Sequence, residues 1–359
     1  MTYRWLWITY VFMHPAKKIV LLGLAILPAI APLSAQVSRT EPRGTPAASS
    51  TKPKRALHWW ERRRPAAESA AAQLQLADQL RAAGRLRSAA RHYRILTYAW
   101  PNAPEAPIAQ FRYAGILQQR AQHQKAFDEY QYLLDTYAGF FPYEEALEQQ
   151  YAIANHIATR QKRLLFVTYQ DEEEAIPMFE RLVATAPAWK RAAELQFRIA
   201  RIYEKNQEYE SAVDAYSAFQ LRFPFSPQAE AALYGHARCW KLLADRYPDD
   251  AGLRGQAIAA QQLFLNAYPH SPPAETARMY LRELQVRQAD DFYRQARLYD
   301  SMARRPNDYG AQAEQLLGAA KICYQRLEKE FPESRWHASA AARLAEIESR
   351  LPADLQEAP

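Results

Sequence analysis

Glycine is scarce in this chain, at 10 of 359 residues, and none of it is arranged as a phosphate-cradling loop or a nucleophile elbow. Cysteine is scarcer. Cys239 and Cys323 lie 84 positions apart, with no second Cys or finger-spaced His beside either, so they read as small buried hydrophobes. The eight His are scattered, and no two make an i, i+4 pair that a metal needs on one helix face. His236 stands near Cys239, but two ligands do not hold a metal. Asp171 to Glu174 and the Asp290-Asp291 pair read as solvated faces rather than acid/base machinery. The expectation is a protein that is not an enzyme, with no catalytic, cofactor-binding or metal-ligating residues.

A net basic balance is also missing from most of the molecule, although the net charge is +7. Residues 1–64 hold eleven Lys and Arg against two Glu, a balance of +9, which leaves residues 65–359 at −2. The body of the chain is therefore no basic surface, and nucleic acid is not an expected partner.

At the N-terminus, Lys17 and Lys18 precede the apolar run from Ile19 to Ala35, which contains Pro28 and Pro32 and ends in Leu33-Ser34-Ala35. That layout predicts a secretory signal over residues 1–35, with Met13 as an alternative start and cleavage after Ala35. Seventeen residues broken by two prolines make a poor spanning helix. No cysteine follows the run, so no lipid-anchor cysteine is expected there. Residues 36–64 form a linker and a basic segment, in which Trp59 and Trp60 sit among Arg62, Arg63 and Arg64. Rings among cations suit contact with an anionic membrane surface or a partner; the simpler reading is a helix start that caps the first structural unit.

What the chain has in quantity is Ala, Leu, Gln, Glu and Arg at helical period. Between residues 65 and 351 a two-helix unit recurs. Its second helix carries Ala89, Tyr93, Leu96 and Trp100; Ala126, Tyr130, Leu133 and Tyr137; Ala175, Phe179, Leu182 and Ala186; Ala212, Tyr216, Phe219 and Phe223; Ala257, Gln261, Phe264 and Tyr268; and Ala320, Tyr324, Leu327 and Phe331. The leading alanines step by 37, 49, 37, 45 and 63 residues, so a pitch of 37 is interrupted by insertions. First helices repeat an aromatic or Leu, an Ala and a third apolar residue, as in Phe197, Ala200 and Tyr203. A single hairpin cannot bury such a face alone, so the units must stack. Pro224, Pro269 and Pro332 end second helices, and the Ser two positions later is expected to cap the next helix. The insertion at 163–174 is expected to lengthen the helices of the third unit or to protrude as a loop. A long helix is expected from Pro273 to Met302, a loop at 303–311, a capping helix from Trp336 to Leu351, and a tail at 352–359.

The pattern resembles tetratricopeptide repeats. The resemblance implies an all-α, right-handed α-solenoid of about six helix pairs with a C-terminal capping helix, its concave groove lined by first helices. Candidate partner-binding positions there are Phe111, Tyr151, Phe197, Arg201, Tyr234 and Arg238, because aromatics and Arg supply rigid area and bidentate hydrogen bonds. Phe223-Pro224-Phe225-Ser226-Pro227, Tyr268-Pro269-His270-Ser271 and the helix through Asp291-Phe292-Tyr293 further resemble the BamD-like subunit of the outer-membrane β-barrel assembly machinery. That resemblance implies a periplasmic scaffold at the outer membrane, with a β-barrel assembly complex and unfolded outer-membrane proteins as partners. Periplasmic repeat proteins that coordinate cell-wall synthesis with envelope constriction are similar, and an accessory to polysaccharide export is a further reading.

Overall fold

The computed structural model describes residues 64–137, 139, 141–164, 167–305 and 312–349. Thirteen α-helices are described, and the first twelve form six pairs. These are α1 (Ala70–Ala82) with α2 (Leu86–Ala99), α3 (Glu105–Gln119) with α4 (His123–Thr136), and α5 (Tyr143–Thr159) with α6 (Ile176–Thr185). There follow α7 (Ala192–Lys205) with α8 (Tyr209–Arg222), α9 (Ala229–Arg246) with α10 (Ala251–Ala267), and α11 (Ala274–Ala303) with α12 (Ala313–Glu330). The last helix, α13 (His337–Glu348), is the expected cap.

Stacking follows from where the small residues fall. The first-helix alanines Ala77, Ala114, Ala154, Ala200, Ala237 and Ala296 are all fully buried, as are the second-helix alanines Ala89, Ala126, Ala212, Ala257 and Ala320 and Ala175 in the turn just ahead of α6. A methyl at each of these positions lets two helix backbones approach, and larger neighbours such as Tyr93, Phe179 and Phe219 fill the space beside them. Each second helix ends alike: the N–H of Trp100, Phe223 or Phe331 bonds the carbonyl four residues back, and the chain then turns. The α1–α2, α3–α4 and α7–α8 turns use equivalent residues at positive φ, Gly84 (73°), Ala121 (54°) and Gln207 (62°). Only the first of these is the residue type that this conformation favours.

Three expectations are corrected. The Ser after each proline does not cap the next helix. Ser334 Oγ accepts from the Trp336 N–H at 3.1 Å, two residues on, and its carbonyl accepts from His337 N–H at 3.0 Å, so it shapes the turn instead. The insertion in the third unit lengthens no helix: β1 (Gln161–Leu164) and β2 (Val167–Gln170) pair antiparallel, in register from Gln161 opposite Gln170 to Leu164 opposite Val167. The acidic run behind the hairpin is not merely solvated. Lys162 Nζ reaches Asp171 at 2.7 Å and Glu174 at 2.8 Å, while Glu172 takes Lys205 of α7 at 2.8 Å. The extra length of the fifth unit goes into longer helices, 18 and 17 residues against 14 in both helices of the fourth.

Candidate functional site

Four of the six groove positions come together on α7 and α9. Phe197 and Arg201 of α7, Tyr234 and Arg238 of α9, and Pro272 and Pro273 ahead of α11 line one cavity of about 430 Å³. The spacing explains the first two pairs: residues four apart on a helix share a face. The cavity joins three successive repeats, because the proline pair that ends the α10 connection closes it from the next unit.

The aromatic members are anchored from behind. Phe197 packs on Tyr216 and Phe219 of its own pair, at 6.0 and 5.9 Å between ring centroids, and Tyr234 packs on Phe264 at 5.3 Å. Each is half-buried, so one edge serves the stack while the other faces the cavity. The two arginines differ. Arg238 Nε donates to Glu204 Oε1 at 2.5 Å and its guanidinium lies 5.4 Å from the Tyr234 ring centre. Glu204 also accepts from Tyr216 Oη at 2.8 Å, so one carboxylate fixes both. The hydrogen bond to Glu204 pushes the Arg238 guanidinium further up from its already high value, and burial followed by the Glu204 charge pushes the Tyr216 phenol up. Arg201 is exposed and makes no ion pair with any described residue.

Phe111 and Tyr151 do not line this cavity. Phe111 sits edge-on to Tyr130 at 5.5 Å, and Tyr151 lies between Trp189 at 6.0 Å and the Arg191 guanidinium at 4.7 Å. Trp59, Trp60, Arg62 and Arg63 lie outside the described residues; Arg64 is exposed ahead of α1. Sequence reasoning missed Glu204, which looks like any surface Glu in the string, and the prolines, which read only as breakers.

The other candidates for chemistry resolve into packing. His236 accepts from Trp240 Nε1 at 3.2 Å, and burial lowers its pKa from the ordinary imidazole value. Cys239 is fully buried, and that burial pushes its thiol up, away from reactivity. Asp290 takes the indole of Trp336 at 2.6 Å and the guanidinium of Arg335, and Asp291 takes Arg254 and Arg294. Among the described residues no group of three or more His, Cys, Asp and Glu is placed to hold a metal, and no helix is long and apolar enough to cross a membrane.

Six stacked pairs with this alanine register make the chain a tetratricopeptide-repeat protein with an α-solenoid fold. Within it, residues 205–355 match the YfiO family, described as outer membrane lipoprotein, so the BamD-like resemblance covers the second half of the array. Solved structures similar to the chain are MamA protein (16% identity, 56% of this chain and 92% of that chain, TM-score 0.26) and a tetratricopeptide repeat protein from Parabacteroides merdae (14%, 78% and 99%, 0.27). PilW, a type IV pilus biogenesis factor, is similar at 17% identity over 77% of this chain and 100% of that chain, with a TM-score of 0.25. No curated protein matches.

Proposed function

We propose that the chain is a non-catalytic scaffold of the bacterial envelope that holds protein partners against the α7–α9–α11 cavity during assembly of outer-membrane β-barrel proteins. The observation that carries this reading is the family match over residues 205–355, which includes α9 and the start of α11 and so two of the three walls of the cavity. Two aromatic edges, one unpaired guanidinium and a rigid proline wall suit an extended peptide segment with an aromatic or acidic side chain. In this reading residues 1–35 direct export and are removed, and the chain works in the periplasm without a lipid on a cysteine after Ala35.

Affinity purification of the whole chain from cross-linked envelopes tests the role. A β-barrel insertase is the expected partner; recovery of cell-wall synthases without it overturns the assembly reading in favour of a part in envelope constriction. N-terminal sequencing of the mature protein is expected to begin at Gln36, and an intact Met1 or Met13 contradicts processing at that point.

A further inference from the structure

The first repeat uses its arginines differently from the others. From α5 onward arginines commonly meet carboxylates, as Arg191 meets Glu148, Arg238 meets Glu204 and Arg343 meets Asp300. Between residues 64 and 120 there are eight Arg and no Lys, against only Glu68, Asp78 and Glu105. Asp78 is already taken by Arg112 and by the Tyr93 hydroxyl, each at 2.5 Å. The chain from 121 to 359 carries a net −6, so the net positive excess lies at one end of the array and in what precedes it.

Three of these arginines converge. Arg85 and Arg87, at the start of α2, and Arg120, at the end of α3, line a cavity of about 390 Å³ together with Gly84, Leu86 and Ser88. The first two are exposed, the third is half-buried, and none has a carboxylate or carbonyl partner among the described residues. Gly84, at φ 73°, makes the tight turn that brings Arg85 back beside α1. Arg91, one helical turn beyond Arg87, is exposed as well. Like charges gathered around one cavity without counter-charge raise the local potential, which an arriving anion relieves.

We propose that this cluster docks the first repeat on an anionic phospholipid surface, with a headgroup phosphate seated between Arg85, Arg87 and Arg120. The planar guanidinium fork matches phosphate oxygens in pairs, which the Lys ammonium does not. A lipid surface fits better than an acidic polypeptide because the basic character runs on into Arg62-Arg63-Arg64 beside Trp59-Trp60, and indoles among cations suit headgroup depth. This proposal is independent of which proteins the α7–α9–α11 cavity holds.

The test is partitioning of the full chain onto vesicles of phosphatidylcholine alone and of phosphatidylcholine mixed with phosphatidylglycerol, read as the ratio of the two coefficients. Any uptake through the apolar run at 19–35 cancels in that ratio. The R85Q/R87Q/R120Q variant is expected to lose about fivefold per arginine, on the order of a hundredfold in the ratio. Removing the same charge at Arg222, Arg297 and Arg305, which are also without ion pairs among the described residues, is expected to leave it within about twofold of wild type if the site rather than the net charge is responsible. R85K/R87K/R120K, which keeps the charge and the fold, is expected to fall between wild type and the Gln variant. Retained binding in the Gln variant, a loss in the Arg222, Arg297 and Arg305 control equal to that of the Gln variant, or capture of polyglutamate in place of anionic vesicles overturns the proposal.

Discussion

Single side chains in this array do two things that composition hides. Gln73, Gln110, Gln150 and Gln196 each precede the first-helix aromatic or Leu, are buried, and donate Nε2 to a second-helix carbonyl. Three of them reach nineteen residues forward in their own pair, whereas Gln150 reaches back to Phe127 of the preceding one. In the fifth and sixth units the position is Leu233 and Phe292, and the device stops. Gln196→Ala removes the second hydrogen bond on the Ala215 carbonyl, which keeps its intrahelical one, and is expected to cost about 1 kcal/mol in chemical denaturation. Gly235 matters for a different reason: a Cβ there would overlap the Tyr216 ring, with Oη only 2.7 Å away. Gly235→Ala is expected to cost about 1–3 kcal/mol by overpacking, and adding Tyr216→Phe is not expected to restore it because ring carbons clash too. Gln207→Gly, which relieves a left-handed residue at a turn, is expected to stabilise by up to about 1 kcal/mol; a lowered melting temperature contradicts that. The glutamines were visible in the sequence as a fixed offset, but a polar residue in an amphipathic helix reads as solvent-facing. Their burial depends on a carbonyl contributed by another helix, which no local period reveals.

Elements show where the 37-residue pitch informs and where it is silent. Alanine register placed all six pairs, because close helix approach demands a small residue at a fixed step, and the capping helix was read from its one apolar face after Pro332. The hairpin at 161–170 was unreadable as such, since four-residue strands give too short a period to separate from a helix extension. The cap is held by charge as well as apolar contact. Asp300, 7% exposed, receives Arg343 at 2.5 and 2.7 Å and Arg304 at 3.3 Å. Burial pushes the Asp300 carboxyl up, but the hydrogen bonds from Arg343 and Arg304 outweigh it and hold the carboxyl below the usual range. A depressed carboxylate contributes its stability in full above the unfolded value and loses it as pH falls through the native one. Hydrogen exchange of α13 is therefore expected to be pH-independent in excess of the intrinsic rate near neutrality and to lose protection in the acid range below the ordinary Asp value. Asp300→Asn is expected to cost about 3 kcal/mol at neutral pH and to remove that dependence.

Across the array, the apolar core is not one piece. A continuous cluster runs from Ala77 in α1 to Leu243 in α9, while Ala296, Tyr324, Leu344 and their neighbours form a separate one under the cap. The 30-residue α11 reaches from the cavity wall to this second cluster, stacking Tyr293 on Trp336 at 4.1 Å. Repeat arrays propagate stability between neighbours, so the C-terminal cluster is expected to open separately from α1–α8 in native-state exchange. The fold was legible because repetition multiplies a weak local signal six times; the cavity was only half legible, because Arg201 and Arg238 obey the helix period while Glu204 and the proline wall act across units. A scaffold that works through this cavity must touch its partner there. Photo-crosslinking from position 201 in intact envelopes tests this directly: adducts with a β-barrel assembly protein are expected from position 201 and absent from Asp214 on α8, outside the cavity. Adducts of equal yield from both positions, or none from position 201, contradict it.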